Sequence, residues 1–469
     1  VKARYVVGAD GAHSTVRHLL GLNFPGVSMP NRWFFIAHGR LEGQDLLPPD
    51  QLYVSMHRHG IGMLIPFKDG TWEILFDLSR ERAMEMLGNS KRDPTLEEFN
   101  AVLQDRVCDS ARVEDVQWLS TFLIHSRQVV RYSTGRVFLA GDACHIHSPV
   151  GGQGMNYGCH DAFNLGWKLA YVLLGRASAP LLDSYHTERH RAGSVLVHYT
   201  ETQTAGLMRA SRARERSETF SQCLNATLRR AGAMGVFEIL SKNWLVPFLS
   251  ETNVEYRKSA LSHEHWELEP LSLSVTRMLH RRQVALSRFF RRRLVAGDRM
   301  PDVALADHPE GERTGDFVSG GFTAFFFEAR VGWKDSMRWH GGQDVDLNAV
   351  AWELAVLTHG LVRCVVVGRE EVEAQERFGV HGQCLVLVRP DGYVGMRSQP
   401  VCLAAITQYL SHRVGLLEVA HTLPEDWRYS EGGSHEATQL TLSRANNLLA
   451  LTSILLACNL AYQAYLHYH

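Results

Sequence analysis

The chain has 469 residues, 45% apolar and 21% charged, which excludes collagen-like, coiled-coil and wholly disordered readings and predicts about two to four domains. Its 49 basic and 50 acidic side chains nearly cancel, at a net charge of −1, so no global field steers it to nucleic acid. The eight cysteines are scattered, with no CxxC and no zinc-like spacing; a reducing compartment, the cytoplasm, is expected rather than a disulfide framework.

The opening Val1-Lys2-Ala3-Arg4-Tyr5-Val6-Val7-Gly8 has no apolar stretch after a basic start, so it is no signal peptide. It reads as a strand already under way, and the chain is expected to be either a fragment or a truncated gene product. Residues 4–7 form a β-type run closed by Gly8-Ala9-Asp10-Gly11, a turn signal. Residues 14–20 predict a helix ended by Gly21. From 27 to 125 strand-length, turn-bounded runs dominate, at 33–37, 51–56, 62–67 and 71–76, with Lys68-Asp69-Gly70 as a hairpin turn. A helix opens near Pro94, with Asp93 or Thr95 as its cap. This block predicts a mostly antiparallel sheet with one or two helices.

A buried-type strand follows at 136–140, ended by Gly141-Asp142 and a glycine-rich loop. Residues 155–174 then carry Cys159, Ala162, Phe163, Gly166, Leu169, Ala170 and Leu173 at helical period. Residues 181–293 are helix-rich. From Gly297 strands at 323–328, 361–367 and 384–388 frame a helix at 346–358, and the last strand leads into the hairpin turn Arg389-Pro390-Asp391-Gly392. Alternation of this kind makes the fold class α/β.

Two stretches carry chemistry. The stronger is Gly135-Arg136-Val137-Phe138-Leu139-Ala140-Gly141-Asp142-Ala143-Cys144-His145-Ile146-His147-Ser148-Pro149-Val150-Gly151-Gly152-Gln153-Gly154-Met155-Asn156: a buried strand, a carboxylate at its end, a glycine loop and a helix start. The carboxylate can accept hydrogen bonds from sugar-like hydroxyls. The glycines let backbone approach a flat ligand closely. The helix start offers free N–H groups and a positive end. A plain strand–helix turn is the alternative. The second stretch is Val6-Val7-Gly8-Ala9-Asp10-Gly11-Ala12-His13-Ser14-Thr15-Val16-Arg17. Alone it is equally well a capped helix, with Asp10 or Ser14 as the cap.

In this order, separated by a β-rich insert, the two resemble the DG and GD motifs of the FAD-dependent aromatic hydroxylases, the phenol hydroxylase and chlorophenol monooxygenase type. Asp161-Ala162-Phe163-Asn164-Leu165-Gly166-Trp167-Lys168-Leu169-Ala170 and Leu181-Leu182-Asp183-Ser184-Tyr185-His186-Thr187-Glu188-Arg189 match as well. The resemblance runs over residues 1–197. It resumes at Gly297-Asp298-Arg299-Met300-Pro301-Asp302-Val303 and Leu387-Val388-Arg389-Pro390-Asp391-Gly392-Tyr393-Val394, which resemble the family's thioredoxin-like domain; without a CxxC no redox role follows. The implied layout is a partial FAD-binding Rossmann-like domain (1–26 and 126–200) with an inserted β-sheet substrate domain (27–125). A helical linker region (201–296), a thioredoxin-like domain (297–420) and an apolar tail (421–469) complete it. The family's GxGxxG loop and its acidic partner are not found, so that unit is expected outside the chain.

The resemblance implies FAD and NAD(P)H as cofactors and a small aromatic substrate. Reduced flavin takes up O2 at C4a, and the hydroperoxide hydroxylates a phenolic ring, the cofactor carrying the hard step. Gly141 and Asp142 would hold the ribityl chain. Gly152, Gln153, Gly154, Met155 and Asn156 would present N–H groups to the flavin's pyrimidine edge. The Pro149 carbonyl would face the substrate hydroxyl, and Asp10, Gly11 and Arg17 would sit near the pyrophosphate and nicotinamide path. Cys144 stands where the family usually has Ala. Either Leu52, Val54 and Met56 or, favoured, Met63, Ile65 and Phe67 would line the aromatic pocket, because Pro66 suits an edge or a bulge; a sheet–helix core is the alternative for both sets. The phenol-activating base is not identified, and His145 and His147 read as structural. No metal and no nucleic acid are expected, and a homodimer is left open. The rival function is a truncated, non-enzymatic relative that does not retain FAD and serves as an interaction module.

Two other stretches stand apart. Residues 277–294 hold seven arginines; a solvated, domain-linking helix is favoured over a membrane or nucleic-acid surface. Residues 448–466 lack any formal charge and nearly reach the ~20 residues that span a bilayer. Thr452, Ser453, Asn459 and Gln463 weaken that reading, so membrane association through this tail is the alternative localisation.

Overall fold

A computed structural model describes residues 2–43, 49, 53–57, 60–88, 92–149, 153–216, 254–266, 294–305, 312–318, 320–329, 345–380 and 382–416. Both the arginine-rich stretch up to residue 293 and the 448–466 tail lie outside them. Among the described residues no helix is long and apolar enough to cross a membrane. The chain divides into two compact units, one from residues 1–158 and 193–216, the other from residues 159–192 and 254–416.

The first unit holds two sheets. In the smaller, β1 (Val6–Gly8) runs parallel to Val137–Leu139, which pairs antiparallel with Ser133–Thr134. Gly8 is required there. A Cβ on it would lie 2.8 Å from Val16 Cβ and 2.9 Å from Leu139 Cδ2, closer than real side chains approach.

The larger sheet is antiparallel, with β2 (Gly26–Glu42), β3 (Tyr53–His57), β4 (Gly60–Pro66), β5 (Trp72–Ser79), β6 (Arg112–Gln128) and the short His145–Ile146 strand in the order β3-β4-β5-β2-β6-(145–146). The Lys68-Asp69-Gly70 turn joins β4 to β5 as expected, with Gly70 at φ 85° and Asp69 accepting from Thr71 N at 3.0 Å. Side chains alternate across the strands. One set, Phe35, Ala37, Leu64, Trp72, Ile74 and Phe76, forms a core with Ala83 and Leu87 of the Arg80–Leu87 helix and Phe99, Val102 and Leu103 of the Leu96–Arg106 helix.

The cap of that second helix is Thr95. Its hydroxyl accepts from Glu98 N at 3.2 Å, and the Glu98 carboxylate accepts from Thr95 N at 2.7 Å, a reciprocal capping box. Asp93 instead accepts from Thr121 N on β6 at 2.7 Å. The expectation for Pro66 needs correcting. Strand β4 is paired on both sides, to β3 and β5, so Pro66 does not sit at a sheet edge. It is the last residue of its strand, where a missing N–H interrupts no further ladder.

The second unit is built on a five-stranded mixed sheet. Phe322–Phe327 pairs parallel with Val362–Val367 and antiparallel with Cys384–Val388, which pairs antiparallel with Val394–Gln399. His263–Trp266 completes the sheet, parallel to Val394–Gln399. That last strand was not expected within a helix-rich stretch. Its sequence His263-Glu264-His265-Trp266 shows no apolar alternation, and pairing with its neighbour makes it a strand. The helix expected at 346–358 spans Leu347–Leu357, capped by Asp346.

Charged groups lie within this unit. Glu188 receives two hydrogen bonds from Arg389, at 2.6 and 2.9 Å, and one each from Lys168 and Asn164, both at 2.7 Å. Asp391 accepts from Trp167 Nε1 at 3.0 Å and pairs with Arg389. Burial alone would push the Glu188 carboxyl up; Arg389 and Lys168 outweigh it and hold the group well below the usual carboxylate range.

Candidate functional site

Strand β1 and its parallel neighbour Val137–Leu139 end side by side, tied by a hydrogen bond from Ala140 N to the Gly8 carbonyl at 3.0 Å. The Gly8-Ala9-Asp10-Gly11 and Ala140-Gly141-Asp142 turns therefore leave the sheet at the same edge, outside the carboxyl ends of parallel strands, where open α/β sheets take their ligands. Gly141 has φ 59°, a left-handed conformation that favours glycine. The nearest atom to a Cβ placed on it is Gly158 Cα, at 3.8 Å. Two glycines thus bring the turn and the first turns of the Gly154–Leu173 helix into close approach. Asp142 is exposed at this edge.

The helix start faces outward as well. Tyr157 N donates to the Gln153 carbonyl at 3.0 Å, opening the ladder, so the N–H groups of Gly154, Met155 and Asn156 precede the first intrahelical donors. Met155 and Asn156 are exposed, Gly154 and Pro149 are half-buried, and the Gln153 side chain is buried. Gly152 lies outside the described residues.

Asp10 and Arg17 have structural tasks here. Asp10 accepts from the Ser14 hydroxyl and from Val16 N at 3.1 Å, while Ser14 Oγ accepts from Arg17 N at 2.9 Å. Both cap alternatives are therefore used at once. Burial would raise the Asp10 pKa, but the hydrogen bonds from Ser14 and Val16 outweigh it and the net shift is down. Gly11 is buried at φ 78°. Arg17 is buried, donates to the carbonyls of Ala143 at 3.0 Å and Ala12 at 2.7 Å, and lies 4.1 Å from the Phe24 ring centroid. It ties the turn after β1 to the turn that carries Asp142.

Beyond Asp142 the chain enters the larger sheet at once, since His145–Ile146 pairs with Arg127 and Gln128 of β6. The Gly141–Ala143 turn thus joins the two sheets. His145 is buried between the rings of Tyr132 and Tyr157, at centroid distances of 6.0 and 6.4 Å. His147 Nδ1 lies 2.8 Å from the Ser148 carbonyl, and burial pulls its pKa down to about 4.

On the larger sheet, the face opposite the helices carries Met63 and Ile65, both half-buried. Cross-strand register puts Met63 beside Leu75 and Leu75 beside Ile36, and Ile65 beside Glu73 and Glu73 beside His38. Phe67, which is exposed, packs edge-on to His38 at 5.3 Å, and Phe34 stacks on Phe122 at 5.7 Å. Leu52 lies outside the described residues, as do the side chains of Val54 and Met56. The sequence places Phe34 and Ile36 in the 33–37 strand run, but assigns neither them nor Phe122 to this face. The signal was available: Trp33-Phe34-Phe35-Ile36-Ala37 is apolar on both alternating faces, the mark of a strand covered on two sides.

Residues 1–200 match the family model described as FAD binding domain. Rifampicin monooxygenase of Streptomyces venezuelae is 41% identical over 206 residues, which are 43% of this chain and 41% of that protein. A flavin-dependent monooxygenase of Mycobacteroides abscessus is 28% identical over 400 residues, 85% of this chain and 64% of that one. Among solved structures, OxyS anhydrotetracycline hydroxylase from Streptomyces rimosus matches with a TM-score of 0.57 at 26% identity, covering 88% of this chain and 69% of its own. The chain spans only 41% of the rifampicin monooxygenase it matches. Over its first 200 residues, this chain is therefore similar to FAD-binding monooxygenases.

Proposed function

We propose that the chain is part of a flavin-dependent monooxygenase that hydroxylates a phenolic or related aromatic ring, with FAD as cofactor, NAD(P)H as reductant and O2 as oxidant. The observation that carries this reading is the Gly141–Ala143 turn, which offers an exposed carboxylate and leads from the parallel strand directly into the larger sheet. A ligand held at that edge borders the sheet whose face opposite the Arg80–Leu87 and Leu96–Arg106 helices carries Met63 and Ile65. The residues present fit FAD: Gly141 and Gly158 let the turn and the helix approach each other closely, which sets an exposed carboxylate beside the helix start.

When bound, FAD supplies the redox chemistry that activates oxygen. The chain's own residues bind and orient. Asp142 accepts hydrogen bonds from ribityl hydroxyls, and its charge makes these roughly twice as strong as neutral ones. The N–H groups of Gly154, Met155 and Asn156, with Gly152 and Gln153 before them, face the pyrimidine edge, where the positive end of the helix favours negative charge. Arg17 and Asp10 fix the two strand ends, with Gly11 between them near the pyrophosphate path. The Pro149 carbonyl and the Met63, Ile65 and Phe67 face receive the aromatic substrate. In the same reading residues 1–26 and 126–200 are the flavin domain, 27–125 the substrate domain and 297–420 a thioredoxin-like domain. The monooxygenase names of the relatives favour this over a non-enzymatic interaction module.

The test is a titration with FAD, followed by quenching of flavin fluorescence, of a protein that joins the chain to the expected GxGxxG unit. Saturable binding that weakens in Asp142→Ala is expected. Absence of binding in the unsubstituted protein with that unit in place overturns the proposal.

A further inference from the structure

Resting on the flavin reading above, we infer that His147 is a positioning residue of the ring site, whose Nε2 accepts a hydrogen bond from a ring N–H of the flavin. The tautomer is set locally. Nδ1 lies 2.8 Å from the Ser148 carbonyl oxygen. A carbonyl only accepts, so Nδ1 carries the proton and Nε2 the lone pair. Burial keeps the ring neutral near neutral pH, since it pulls the pKa down to about 4.

That lone pair is unused. Nε2 is buried and has no hydrogen-bond partner among the described residues, and buried polar atoms in native proteins are seldom left so. Its direction is given by Gly154, the first residue of the Gly154–Leu173 helix. A Cβ placed on Gly154 would lie 3.6 Å from His147 Nε2 and 3.8 Å from its Cε1. The imidazole edge therefore faces the bare backbone of the helix start. The missing partner must be a donor, and that narrows the ligand chemistry. A phosphate or a carboxylate at a helix start brings only acceptors when ionised. The pyrimidine edge of an isoalloxazine alternates carbonyl, N–H and carbonyl. Its carbonyls suit the helix N–H groups, and its N–H suits an imidazole lone pair beside them. The sequence shows His147 but not its tautomer, which depends on the Ser148 carbonyl turning back toward it.

The experiment compares His147→Phe, which keeps a flat ring and deletes the Nε2 acceptor together with the Nδ1 donor to Ser148, with His147→Gln, which restores an acceptor oxygen. The dissociation constant for FAD, the visible absorption bands of the bound flavin and the melting temperature of the flavin-free protein are measured for each. In His147→Phe the dissociation constant should rise about ten-fold, the loss of one neutral hydrogen bond. The long-wavelength band should shift. The flavin-free melting temperature should fall only slightly, by the one Nδ1–Ser148 hydrogen bond, because the deleted Nε2 has no partner among the described residues. His147→Gln should recover most of the affinity and the spectrum. An unchanged dissociation constant and spectrum in His147→Phe overturn the inference, as does a fall in melting temperature with flavin binding intact. Should His147→Phe not fold, protein with 15N-labelled histidine gives the answer without it: FAD must move the His147 Nε2 resonance and leave Nδ1 in place, and a static Nε2 overturns the inference. Failure of the unsubstituted protein, with the GxGxxG unit in place, to bind FAD would instead defeat the flavin reading itself, and this one with it.

Discussion

The two units use carboxylates in opposite ways. In the second, Glu188 and Asp391 are enclosed, and Arg389, Lys168, Asn164 and Trp167 direct their donors at them. A carboxylate so surrounded has little capacity left for a ligand. Breaking such a cluster leaves charge buried without compensation. In the first unit Asp142 stands exposed at the ends of two parallel strands, beside a helix start whose leading residues also face outward. Burial thus separates a carboxylate enclosed within the fold from one that faces outward, although both lie in stretches that resemble the same family.

The largest effect should come from the enclosed group. Glu188→Ala removes the shared partner of Arg389 and Lys168, and unfolding in urea should show a loss of about 3–5 kcal/mol. The pH dependence follows from the depressed pKa of Glu188. Its contribution is fully present above the unfolded carboxyl value of 4.5 and is lost as pH falls below it, because the unfolded chain then binds the proton first. Glu188→Gln should flatten that part of the stability profile. If Glu188→Ala unfolds at the same urea concentration as the parent, the cluster contributes nothing and the contrast fails.

Next comes a pair of neighbours on β4 that face opposite ways. Leu64→Ala digs a cavity in the core shared with the two helices and should cost about 2–5 kcal/mol of stability. Ile65→Ala, one residue on, should leave the melting temperature nearly unchanged and alter which aromatic compounds are turned over, by ~1–3 kcal/mol of discrimination. Assays of both properties on both variants check this. Equal losses of stability would place Ile65 in a packed core.

A smaller change is expected at the open edge. Asp142→Ala should raise the dissociation constant for FAD by roughly 10- to 150-fold, the loss of a charge-assisted hydrogen bond of ~1.5–3 kcal/mol. Urea unfolding of the flavin-free chain should respond less than it does to Glu188→Ala. A stability loss as large as that of Glu188→Ala would mean that Asp142 belongs with the enclosed carboxylates.

The open edge was far more legible in the sequence than the enclosed cluster. Gly141, Asp142 and the helix start lie within about twenty residues, and their conformational demands follow from residue type: a left-handed turn, a strand end, unpaired helix N–H groups. Glu188 and Arg389 are 201 residues apart, and neither looks unusual locally. Lys168 within an apolar helical pattern was the one visible hint that a buried partner was needed. The Pro66 expectation failed for a related reason. Proline forbids a ladder hydrogen bond but does not say whether a strand lies at an edge or merely ends, and pairing on both sides of β4 decides that. His263–Trp266 was equally illegible, since its strand conformation comes from its neighbour.

The smallest expected effect concerns Asp10, which lies between the two classes. It is half-buried, and its oxygens accept from the Ser14 hydroxyl and Val16 N. Removing the cap hydroxyl by Ser14→Ala should cost about 1 kcal/mol, read as a shift in urea midpoint. The lowered pKa of Asp10 gives the sign with pH. Its stabilisation is complete above the unfolded value of 3.8 and disappears as pH falls through the lower folded value, so parent and Ser14→Ala should converge in acid. FAD affinity sharpens the assignment. If Asp10 mainly holds the turn after β1, Asp10→Asn should lower stability and move the FAD dissociation constant far less than Asp142→Ala does. Equal effects on binding would make Asp10 a second ligand carboxylate at the edge, and the capping bonds would then describe the flavin-free state alone.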